Sequence, residues 1–177
     1  LSESDATPAK KQWKIRAEPK YVSGIKGIGV DVVSVANNHT LDFGKQGFDR
    51  TLEVLDEHKL LWTGAQFALE ETQVPLVVQV GTTKVGFLAY TDISKWRPPA
   101  PGGPEDYWPK PANYDAAAML KAIKRARPLV DLLVLSVHWG DEYSMLESDR
   151  QRHDARRFVD AGVDLVIGHH PHVSRVV

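Results

Sequence analysis

Short runs of β-branched and aliphatic residues alternate along this chain with stretches whose apolar residues recur at helical spacing. That alternation alone predicts most of the elements. In EPKYVSGIKGIG (18–29), Pro19 suits a first helical position, and Val22, Ile25 and Ile28 follow at helical intervals, so a short helix is expected. VDVVSVA (30–36) has the length and branching of a buried strand. FDRTLEVLDEHK (48–59) sets Phe48, Leu52 and Leu55 on one helical face. LLWTGA, VPLVVQV and KVGFLAYTD read as short strands, the last two joined by a turn at 81–83. YDAAAMLKAIKRAR (114–127) is helical up to Pro128, VDLLVLSVH (130–138) is a strand, and SDRQRHDARRFVDAG (148–162) is a helix closed by Gly162. Between Ile93 and Asn113, SKWRPPAPGGPEDYWPKPA holds six of the eleven prolines, and no regular structure is expected there. The polar, aperiodic residues 1–12 read as a flexible N-terminal segment, with one domain over 13–177.

Helices alternating with apolar strands predict an α/β fold around a partly parallel sheet covered on both sides. Three segments share one plan: GVDVVSVANNH (29–39), LVDLLVLSVH (129–138) and GVDLVIGHHPH (162–172). In each, a helix ends, an aspartate opens a strand, and histidine arrives where the strand stops.

Composition adds mainly exclusions. Apolar residues make up 42% of the 177 and charged residues 25%, a globular balance with room for one core. A net charge of −1 offers no basic footprint for nucleic acid. No apolar run approaches the roughly 18–20 residues of a membrane span. With no cysteine there is neither a disulfide framework nor a thiolate metal site, which leaves histidine, carboxylate and amide oxygen as metal ligands.

Ligands in open α/β sheets bind at the carboxyl ends of the strands. His39, His138, His169, His170 and His172, five of the seven histidines, fall at that edge, whereas His58 and His153 lie within helical patterns. Converging neutral imidazoles favour ions of the zinc, iron or manganese class. Side chains alternate at a strand end, so His170 and His172 can share a face that His169 opposes. In ANNHTLDFGKQG (36–47), the amide oxygens of Asn37 and Asn38 can ligate a hard ion. Asp42 follows His39 closely; the plainer reading is an Asn-rich turn with Asp42 capping the next helix. HWGDEY (138–143) places Asp141, Glu142 and Tyr143 after His138, where a carboxylate could orient a metal-bound histidine, touch substrate or simply be solvated. Trp96, Arg97, Tyr107 and Trp108 in the proline-rich segment either line a cleft or pin a long loop.

The segments ANNHTLDFGKQG, HWGDEY and DAGVDLVIGHHPHV resemble, in order and spacing, the motifs of the CapA-type poly-γ-glutamate capsule biosynthesis family. That family is a branch of the calcineurin-like metallophosphoesterases, and the resemblance runs from about Trp13 to the last residue. It implies an α/β fold of the four-layer α/β/β/α sandwich type, present in part. It also implies a strand-end centre for divalent metal ions (manganese, iron or zinc), two in a complete homologue and one or none in this chain. Asn38, His138, His170 and His172 match the ligands and His39 the proton donor, with Asn37, Asp42, Glu142 and His169 near substrate or behind the ligands.

The superfamily's first acidic motifs have no counterpart before the first predicted helix, and the family continues beyond Val177. The resemblance therefore implies an internal fragment, with a carboxylate bridge missing and sheet edges exposed. The function implied is a metal-dependent, hydrolase- or phosphoesterase-like site in a capsule biosynthesis protein at the cell surface. The partners implied are an anionic polymer such as poly-γ-glutamate or capsule synthase components, with no nucleic acid and no membrane segment within the chain. The alternative is a non-catalytic module that grips such a polymer or a synthase partner, its metal structural or vestigial.

Overall fold

The structure is a computed structural model, and it describes residues 8, 13–66, 73–93 and 110–174. Most of the segment 1–12 and most of the proline-rich segment, with Trp96, Arg97, Tyr107 and Trp108, lie outside the described residues.

A 3-10 turn at Pro19–Tyr21 leads into helix α1 (Val22–Gly27), strand β1 (Val32–Ser34) and helix α2 (Gly44–Glu57). Strands β2 (Leu61–Thr63), β3 (Ala65–Gln66), β4 (Leu76–Val80), β5 (Thr83–Thr91) and β6 (Lys110–Pro111) follow. The chain then runs through α3 (Ala116–Ala126), β7 (Leu132–His138), α4 (Asp149–Asp160) and β8 (Leu165–His169). The main sheet has the order β4-β5-β7-β8, antiparallel across the first pair and parallel across the other two. β1 pairs with β2 in parallel, and β3 with β6 antiparallel.

Alternation along β7 explains how this sheet presents its ligands. Leu133, Leu135 and Val137 are fully buried and pack with Met119 and Ile123 of α3 and Phe158 of α4. The intervening positions, ending with Ser136 and His138, face the other way. On β8, Leu165 and Ile167 are exposed, and β4 and β8 are the edges of the sheet among the described residues. A second cluster gathers Val22, Phe48, Leu52, Leu55 and Leu60 where α1 and α2 cover the β1–β2 pair.

The strand-opening aspartates set the register. Asp131 Oδ2 accepts from Lys84 N–H at 2.7 Å, and Asp164 Oδ2 accepts from Leu133 N–H at 2.7 Å and from Arg127. Each carboxylate thus fastens the start of one strand to its neighbour. This holds Asp164 below the usual carboxylate range, first through the backbone bond and then through the guanidinium.

Four expectations need correction. LLWTGA is not one strand: it breaks at Gly64 (φ +96°), where a β-carbon would lie 2.8 Å from the Ala36 nitrogen, so only glycine lets the two sheets approach. α2 begins at Gly44, four residues before the first periodic apolar residue, and no side chain caps it. Asp42 is therefore not a helix cap. α3 ends at Ala126, and the chain continues as a 3-10 turn over Arg127–Leu129 that accommodates Pro128. Finally, Lys110–Pro111 forms a strand inside the segment expected to be irregular; with one short partner strand among the described residues, the missing proline N–H is tolerated there.

Candidate metal centre

Three strand ends supply the site. The first is the turn after β1. Asn37 Oδ1 accepts from His39 N–H at 2.8 Å, an Asx turn that lifts the next residues off the strand direction. Thr40 Oγ1 donates to Val35 O, and Asp42 N–H donates to His39 O at 3.0 Å. Asp42 is buried, 1% exposed, and its Oδ2 takes His39 Nδ1 at 2.7 Å and Ile15 N–H at 2.7 Å. A carboxylate can only accept, so His39 carries its proton on Nδ1, and Nε2 is the nitrogen left for chemistry.

The second corner is the end of β7. His138 Nε2 donates to Asn38 Oδ1 at 3.1 Å, joining residues one hundred positions apart. Burial, and then the neighbouring imidazoles of His170, His169, His39 and His172, push His138 down to about 4. It is therefore neutral at physiological pH, the state in which imidazole binds metals.

The third corner follows β8. His170 and His172 adopt positive φ of 95° and 59°, a conformation that side-chain-bearing residues rarely take. The His170 ring lies 4.9 Å from that of His138 and 5.9 Å from that of His172, centre to centre. Burial lowers His170, opposed by the carboxylate of Glu142. His169 points elsewhere: its Nε2 meets Ser136 Oγ at 3.0 Å on the exposed sheet face. Burial also lowers His169.

Each candidate ligand, with its neighbours in the three histidine-bearing motifs, now has a place. Asn38 and His138 touch; His170 and His172 stand beside them; His39 and Asp42 form a hydrogen-bonded pair at the rim; Asn37 builds the turn that carries them. Glu142 joins His170 and His172 in a group whose ligand atoms all lie within 4.8 Å of one another, the one such group found among the described residues. The donors suit a divalent ion. Ligand atoms sharing one ion through bonds of about 2.0–2.2 Å sit roughly 3.0–3.6 Å apart. The 3.1 Å between Asn38 Oδ1 and His138 Nε2 falls in that range.

Asp92 went unnoticed in the sequence. It follows β5 at the same edge, its N–H donates to His138 O at 2.9 Å, and its carboxylate binds Arg150, whose guanidinium lies over the Tyr114 ring. The signal was present: KVGFLAYTD ends in a chemistry-bearing residue where the other three segments end in histidine.

Comparison with known proteins places the chain in a family. The family described as bacterial capsule synthesis protein PGA_cap matches residues 2–177. The chain is 32% identical over 166 residues to the PGA biosynthesis protein CapA of Bacillus subtilis, covering 93% of this chain and 43% of that protein. It is 32% identical over 169 residues to the capsule biosynthesis protein CapA of Bacillus anthracis, covering 93% and 40%. It thus spans about two fifths of the length of these relatives. Among solved structures it resembles a Staphylococcus aureus protein assigned as a 5'-nucleotidase, crystallised with α-ketoglutarate. The TM-score is 0.57 at 16% identity, over 86% of this chain and 31% of that one. The likeness is one of fold, and it agrees with the expected α/β class.

Proposed function

The chain belongs to the PGA_cap family of bacterial capsule synthesis proteins, and on that premise we propose that it forms the metal-dependent, hydrolase-like part of a poly-γ-glutamate capsule biosynthesis protein. The observation that carries the proposal is the convergence of His39, His138, His170 and His172 from three strand ends, with Asn38 against His138. Such a site suits an anionic polymer or a phosphoester, and in a capsule protein it would work at the cell surface, beside the polymer or the synthase that makes it.

Asn38, His138, His170 and His172 would hold divalent metal. When bound, the ion supplies Lewis acidity and a water of lowered pKa. The remaining chemistry belongs to the protein. Asp42 keeps His39 in one orientation through Nδ1, which leaves Nε2 as the atom that would pass a proton to a leaving oxygen. His138, neutral through burial, does not compete for that proton. Asn37 fixes the turn that sets His39 and Asn38 side by side.

The test is elemental analysis of the intact protein beside His170→Ala and His172→Ala, with hydrolysis of bis-p-nitrophenyl phosphate and of poly-γ-glutamate measured on the same samples. The proposal expects stoichiometric metal in the wild type, its loss in both variants and a parallel loss of hydrolysis. Metal without hydrolysis of either substrate would favour a polymer- or synthase-binding module. A metal-free wild type that retains its capsule role would end the reading altogether.

A further inference from the structure

Glu142 is an exposed residue in a loop, and neither exposure nor charge separates it from Asp141 beside it. The backbone does. Trp139, buried to 5% exposure, anchors the start of the loop, and its N–H donates to His169 O at 3.1 Å. Gly140 turns the chain with φ +92°. On the other side of Glu142, Tyr143 N–H donates to Pro171 O at 2.7 Å, and the Tyr143 ring stacks on His172 at 5.9 Å and 30°. Two main-chain bridges to the 169–171 segment therefore bracket Glu142 and hold its carboxylate against the two histidines.

Strain gathers at the same place. Of the four non-glycine residues with positive φ among the described residues, three are Tyr143, His170 and His172. Such conformations cost of order 1–3 kcal/mol each and persist where the surroundings impose them, commonly at ligand clamps. Here they turn one carboxylate and two imidazoles toward a common point, with all ligand atoms within 4.8 Å. Donors on one ion with bonds near 2.1 Å span at most about 4.2 Å. Three donors on one ion sit roughly 3.0–3.6 Å apart, so a closure of about 1–2 Å, within reach of an exposed glutamate side chain, completes the set.

We infer that Glu142 is a direct metal ligand, forming with His170 and His172 a two-histidine, one-carboxylate set for a divalent ion of the zinc, iron or manganese class. The inference rests on the metal centre proposed above and deepens it. Glu142 supplies a carboxylate from the loop after β7, and Asn38 with His138 forms the adjoining half of the site. One negative ligand beside two neutral imidazoles offsets part of the ion's charge and favours borderline ions over the softest ones.

Cobalt(II) titration of the intact protein, followed by visible absorption, tests this without reference to activity. The component to follow is the one that His172→Ala abolishes. Glu142→Gln keeps the shape and removes the charge, and it is expected to weaken that component by about 100-fold or more and alter its absorption envelope, since even outer partners of metal ligands cost roughly 10–100-fold. Glu142→Asp should recover part of the affinity. Asp141→Asn removes an equal charge one residue away and should change affinity less than about threefold, the size of a screened surface effect. Equal losses in Glu142→Gln and Asp141→Asn would mean that general charge is responsible, and the inference would be wrong while the centre stood. An unchanged affinity and spectrum in Glu142→Gln would overturn it in the same way. A wild-type protein that binds no cobalt would overturn the inference and the metal centre together.

Discussion

The turn after β1 and the loops after β7 and β8 meet at one site, yet they are held by different means. The Asn37–Asp42 corner is a web of hydrogen bonds gathered on Oδ2 of a buried carboxylate, so its turn is held by the protein's own groups. The corner made by 139–143 and 169–172 is exposed at Asp141, Glu142, Tyr143 and His172, relies on positive φ at three residues with side chains, and turns imidazoles toward one another without bonding them. Unbonded donors facing a common point are stabilised when a cation arrives. One corner is thus built to orient a proton, and the other to be finished by an ion.

That contrast can be broken first through stability. Asp42→Ala leaves Ile15 N–H and His39 Nδ1 without their acceptor in a buried setting. It should cost about 3 kcal/mol in denaturant unfolding, whereas Glu142→Ala, on an exposed loop, should stay within about 0.5 kcal/mol in metal-free protein. Equal costs at the two positions would remove the distinction.

Acid titration is the next lever. His138 is neutral in the folded protein down to about pH 4 because of burial and its neighbouring imidazoles, while the unfolded chain protonates near 6.5. Below 6.5 the unfolded state binds the extra proton, so the metal-free fold loses stability as pH falls from 6.5 toward 4, and this loss levels off beneath. An NMR titration of the His138 ring should find its midpoint near 4; a midpoint at or above 6.5 would contradict the burial assigned to it. Smaller again is the effect of Tyr143→Ala. It removes the ring from His172 but not the N–H to Pro171, so metal affinity should drop a few-fold, with stability changed by less than about 1 kcal/mol. The least effect is expected at His169→Ala, where only the Ser136 contact on an exposed face is lost. Stability should hold within about 0.5 kcal/mol and metal affinity should not change.

Much of this was legible in the chain. The β-branched runs marked the strands, and the recurring Asp-strand-His plan located the edge where His39, His138 and His170 meet. What escaped depends on contacts between distant segments. Gly64 divides two sheets because Ala36 passes beneath it, and no local pattern shows that approach. Asp42 looks like a helix cap from its neighbours and becomes the partner of His39 only once the turn is folded. The motif resemblance put Glu142 near substrate or behind the ligands, and the bridges from Trp139 and Tyr143 show that its carboxylate faces the histidines.

The most direct measurement is amide hydrogen exchange on the intact protein with and without zinc or manganese. The amides of His39, Thr40 and Asp42 already have backbone or side-chain partners, so exchange over 37–42 should change little. Over 139–143 and 169–174, bound metal should slow exchange by tenfold or more, corresponding to about 1.4 kcal/mol of local stabilisation. Protection confined to those two segments, and lost in His172→Ala, is the predicted result. Unchanged exchange there at saturating metal, or protection arising only in another part of the chain, would contradict the account.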